Sequence, residues 1–82
     1  MEETNMSVLS DTFNLYMENG KKAKDKGNIS LAKRNFLLAS ETMMQMAKQS
    51  QGKLKQIRME RARRLVEISD NLNKKPVKEN KK

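Results

Sequence analysis

The chain has 82 residues, with 18 Lys and Arg against 10 Asp and Glu, a net charge of +8, and neither cysteine nor histidine. That composition excludes disulfides, thiolate and imidazole metal sites and histidine acid–base catalysis, and the length bounds the chain to one small domain that buries about 60–65% of its unfolded surface. No stretch approaches the ~20 apolar residues of a membrane span, and the acidic opening MEETNMSVLSDTF has no apolar run of a signal peptide, so the expected address is cytoplasmic, with no membrane partner.

Residues 1–5 read as a short extension, and the first helix is expected over residues 6–26 with Thr4 or Asn5 as its N-cap. Leu9, Phe13, Tyr16, Gly20 and Ala23 recur at spacings of four and three, which stacks them on one stripe. Val8 and Leu15 widen that stripe on one side and Met17 on the other. Gly27-Asn28 then breaks the helix, the glycine suited to a left-handed C-cap and the asparagine to the next N-cap.

A second helix is expected over residues 29–50. Ala32, Phe36, Ala39, Met43 and Met46 repeat the same spacing, with Leu31 and Leu38 on one flank and Leu37 and Met44 on the other. A helix apolar over so much of its circumference sits between two neighbours or leaves part of itself for a partner. Small residues on the facing stripes of the two helices allow a close hairpin, with Phe36 filling the space they leave. Gly52 marks the next break, although the second and third helices could also run on as one bent helix.

The third helix is expected over residues 53–73, with Leu54, Ile57, Leu65, Ile68 and Leu72 as its core stripe. Met59, Ala62 and Val66 form a second apolar strip beside it, flanked by Lys55, Arg58 and Arg63. Arg61 falls within the arc of the core stripe and must snorkel or find a carboxylate. The remaining KKPVKENKK, residues 74–82, reads as a basic tail or linker. The fold class is thus all-α, an antiparallel three-helix bundle over residues 6–73.

Charge is unevenly spread: residues 1–20 carry four acids and no basic residue, leaving all 18 basic residues against six acids in the rest of the chain. Such asymmetry points to acidic partners, or to complementary helix faces within the bundle. The run from Lys53 to Arg64 holds six basic residues against Glu60 alone, and could touch nucleic-acid phosphates. No aromatic residue interleaves it for stacking, and Phe13, Tyr16 and Phe36 all fall on core seams. With no nucleophile–base pair, glycine-rich phosphate loop or calcium loop, neither catalysis nor a cofactor or metal is expected. The second strip is the best candidate site: Met59, Ala62 and Val66, rimmed by Lys55, Arg58 and Arg63, make a shallow apolar groove that suits an amphipathic peptide with acidic flanks, and Met44, off the seam of the second helix, is the methionine best placed to join it.

Gly20, Ala23, Asp25, Gly27-Asn28-Ile29, Ala32, Phe36 and Ala39, with Arg61-Ala62 and Leu65 further on, resemble the MIT domain, the microtubule-interacting and trafficking three-helix bundle. The hairpin residues also fit a single tetratricopeptide repeat, but only one copy is present and its closing proline is missing near Met44. The MIT resemblance spans residues 8–73 and departs at Ile29, where a tyrosine is usual. It implies a non-enzymatic module at the N-terminus of an AAA ATPase. Its partners would be short peptide tails, acidic or leucine-containing, docked between the second and third helices in a groove that the resemblance places at Leu37 and Met44 with Lys55, Met59, Ala62, Arg63 and Val66. The alternatives from other classes are a small basic nucleic-acid-binding bundle and a free-standing assembly protein that dimerises through the same strip.

Overall fold

Asn5 opens the first helix by accepting a hydrogen bond from the Ser7 N–H at 2.7 Å; in the computed structural model, which describes residues 5–73, this helix, α1, spans Met6–Asp25. It ends in a Schellman motif. Gly27, at φ +83°, lets its own N–H donate to the Lys24 carbonyl (3.0 Å) and that of Asn28 to the Ala23 carbonyl (2.8 Å). Asn28 then caps α2 (Ile29–Lys48), its side-chain oxygen accepting from the Leu31 N–H at 3.2 Å. The Gly27-Asn28 pair thus stops one helix and starts the next, as the sequence leads one to expect.

The second break is equally real. The Gln49 and Ser50 N–H groups turn back to the Met46 and Ala47 carbonyls, and Gly52 takes φ +64° to start α3 (Gly52–Asn73). The chain is all-helical over the described residues, a three-helix bundle in which α2 packs against both neighbours. Among the described residues α1 and α3 make no close backbone approach, and each contributes side chains to the core clusters centred on α2. Residues 1–4 of the expected extension (residues 1–5) and the expected tail (residues 74–82) lie outside the described residues.

Gly20 decides how closely α1 lies on α2. A Cβ there would fall 2.9 Å from the Phe36 ring, so the glycine leaves room for the aromatic edge. Ala23, Ala32, Phe36, Ala39 and Leu65 form one buried cluster, with Phe13, Tyr16, Met17 and Leu72 packed against it. Leu9, Met43, Met46 and Ala62 form a second, flanked by Met6 and Phe13. Every position of the two expected hairpin seams is buried or half-buried.

The third helix corrects the sequence expectation. Leu54, Ile57 and Ile68, expected in its core stripe, are exposed (Ile57 by 49%), whereas Ala62, expected on the groove strip, is only 3% exposed. The inward line is Arg58, Ala62, Leu65, Ser69 and Leu72, rotated by roughly 60° from the expected stripe at about 100° per residue. Arg61 is therefore exposed and needs no buried partner. The cause is steric and polar together. Alanine and serine at the seam let α3 close on α2, and the Ser69 hydroxyl, fully buried, donates to its own helix at the Val66 carbonyl (2.8 Å). A hydroxyl satisfied in this way enters a seam without an unpaired polar group. Ser40, Thr42 and Ser50 on or just after α2 are buried by the same device, bonded to the Leu37, Leu38 and Met46 carbonyls.

Candidate functional site

The rotation of α3 leaves an open trough beside its seam with α2. Ser40, Glu41 and Met44 line it from α2, and Met59, Ala62, Arg63, Val66 and Glu67 from α3, around a volume of about 430 Å³. Ala62 forms the floor. Met44, Met59 and Val66 are 39%, 37% and 39% exposed, large apolar side chains half in water on two facing helices. Thioethers adapt to varied shapes, so Met44 on α2 and Met59 on α3 make both walls pliable, beside the stiffer Val66 of α3.

Five of the seven residues expected at the groove therefore line it: Met44, Met59, Ala62, Arg63 and Val66. Leu37 is half-buried on α2 outside the lining, and Lys55 is exposed one turn before Met59, also outside it. Arg58, expected on the rim, instead folds inward and donates from its guanidinium to the Ser50 hydroxyl, which in turn donates to the Met46 carbonyl at 2.7 Å. It ties α3 to the end of α2 and is not a groove residue. Ser40, Glu41 and Glu67 were not expected. Their spacing could have revealed them, since Ser40 and Glu41 lie four and three residues before Met44 on one helix face, and Glu67 four after Arg63.

The groove's charge differs from that of the chain. Glu41 and Glu67 contribute a carboxylate from each wall, and neither is in an ion pair among the described residues. The one cation, Arg63, sits 3.7 Å from Glu60 on its outer side, and Arg64 binds the same carboxylate at 3.3 Å. These exposed pairs contribute little to stability, about 0–1 kcal/mol each, and Arg63 remains in the lining of the trough. A basic helix thus carries a groove lined by two acids and one cation.

Comparison with family models, curated proteins and solved structures finds no match to this chain. A further concavity of about 500 Å³ on the outer face of α3 is lined by Lys53, Gln56, Ile57, Glu60, Arg61 and Arg64, all from one helix, so among the described residues no second element closes it. No group of three or more His, Cys, Asp or Glu among the described residues could hold a metal ion. None of the described helices is long and apolar enough to cross a membrane.

Proposed function

We propose that the chain is a non-enzymatic docking module of MIT type, holding a short amphipathic segment of a partner in the α2/α3 groove. The observation that carries this reading is the trio Met44, Met59 and Val66, half-exposed around the buried Ala62. Large apolar side chains on facing helices give a partner helix a slot for its own apolar face. The MIT resemblance, resting on the hairpin and α3 residues, supports the same reading and extends it to a cytoplasmic adaptor at the N-terminus of an AAA ATPase. The groove's own charges refine the partner. With Glu41 and Glu67 in its lining, a leucine-containing segment with one basic residue fits better than an acidic one.

The test is a titration of the full chain with a 15-residue helical peptide carrying leucines at three- and four-residue spacing and a single arginine. Methyl signals of Met44 and Met59 are expected to shift saturably, and Val66→Asp to weaken binding at least tenfold with the helical spectrum unchanged. Shifts scattered over all three helices, or none, would count against the groove. Nucleic-acid binding predicts instead an affinity for duplex DNA that collapses as salt rises and is lost on neutralising Arg63 and Arg64. The aromatic side chains argue against it, because Phe36 is buried and Phe13 and Tyr16 pack against the core, which leaves no stacking platform. Dimerisation through the same strip predicts concentration-dependent sedimentation.

A further inference from the structure

The opposite flank of α2 carries a second concavity of about 530 Å³, at the hairpin end between α1 and α2. Its character is the reverse of the α2/α3 groove. Lys22 lines it from α1, Lys26 from the C-cap, and Asn28, Leu31 and Asn35 from the turn and α2; no acid lines it among the described residues. Leu31 is 46% exposed there, a large apolar side chain beside two ammonium groups. Lys21, Lys24, Lys33 and Arg34 surround the same end of the bundle, and Asp25 is the only acid between residues 19 and 40. The ion pairs found among the described residues all belong to Glu60 on α3, so none of these cations is neutralised by a salt bridge.

Asn35 adds a polar requirement. It is only 8% exposed, and its amide N–H donates to the Leu31 carbonyl at 3.0 Å, while its carbonyl oxygen accepts no hydrogen bond among the described residues. Asn35 lines the pocket, so this oxygen is an acceptor that a ligand N–H can meet. A peptide backbone brings such N–H groups, its acidic side chains meet the lysines, and an apolar side chain on it meets Leu31, for which an inorganic anion has no counterpart.

We infer that this α1/α2 pocket is a second docking site, for an acidic segment of a partner protein with one apolar side chain seated on Leu31. The site goes beyond the α2/α3 reading and does not depend on it. The two flanks of α2 then sort partners by charge: a cation-bearing apolar helix toward Glu41 and Glu67, an acidic segment toward Lys22 and Lys26.

The experiment is an amide-detected NMR titration of the 82-residue chain with a 12-residue peptide of glutamates around one central leucine. An all-glutamate peptide and inorganic phosphate serve as comparison probes. The leucine peptide is expected to move Lys22, Lys26, Leu31 and the side-chain amide of Asn35 saturably. Its dissociation constant should rise at least tenfold in Leu31→Gln and in the double variant Lys22→Gln/Lys26→Gln. Both sets of positions are exposed, so if one variant loses its helical spectrum the other carries the test. Three results would overturn the inference: equal shifts with phosphate, which would make this a simple anion site; shifts centred on Met44 and Met59; or non-saturating shifts spread equally over Lys21, Lys24, Lys33 and Arg34.

Discussion

The two seams of α2 both close on small residues but fill the remaining space differently. Against α1, Gly20, Ala23, Ala32 and Ala39 bring the helices together and the Phe36 ring fills the gap, edge against the glycine of the facing helix. Against α3, the small residues are Ala62 and Ser69, with Leu65 buried in the Phe36 cluster and Leu72 packed against it, and no aromatic ring comes from α3. The first arrangement leaves Val8, Leu15 and Leu31 exposed, and the second leaves Leu54, Ile57, Met59, Val66 and Ile68 exposed on a helix that is nonetheless packed. The two of these that flank the α2 seam, Met59 and Val66, line the groove.

The sharpest way to break this comparison is to truncate each seam in turn. Phe36→Ala should cost about 3–5 kcal/mol, a large share of the ~4–12 kcal/mol that a chain of this length has in total, and sharply lower the midpoint of thermal unfolding followed by circular dichroism. Were the variant to melt within a few degrees of the parent, the hairpin would not be the stability centre. Gly20→Val tests the same contact from the other side. Its branched side chain meets the buried Phe36 ring, and overpacking of this kind costs about 1–3 kcal/mol, read as a lower urea midpoint. Gly20→Ala should cost less, because relief of about 1 kcal/mol of glycine's helix penalty offsets part of the clash.

The α3 side yields a contrast within one helix turn. Leu65→Ala should cost about 2–4 kcal/mol and Ile68→Ala under about 1 kcal/mol, measured by chemical denaturation. Equal costs would restore the stripe that the sequence favours. That stripe misleads for a physical reason. Leu54, Ile57, Leu65, Ile68 and Leu72 are the most apolar residues of the helix and share an arc, so hydrophobicity alone selects them. What it cannot register is the neighbour: α2 offers α3 a surface that Ala62 and Ser69 fit closely. The hairpin was legible because its small residues were glycine and alanine, which read as seam. The α3 seam was not, because one of its small residues is a serine. The groove emerged at Met59 and Val66 even so, since these lie off either version of the α3 stripe, and at Met44, which lies off the α2 seam, while Glu41 and Glu67 carry no apolar signal to mark them.

Ser69→Ala gives the smallest and most diagnostic effect. Ser69 is fully buried, and its hydroxyl bonds only to the Val66 carbonyl of its own helix. Alanine removes donor and oxygen together and leaves that carbonyl free for its usual helical partner, so no buried group is orphaned. Alanine also carries the better helix propensity. The expected change is within about 0.5 kcal/mol of zero, or slightly stabilising, by urea unfolding. A loss of 2 kcal/mol would mean that the hydroxyl reaches across to α2 and that the seam is specified by polarity. A neutral result would mean that it is specified by size, and Ser69→Leu, which restores the apolar residue that the pattern appears to lack, should then be the damaging change.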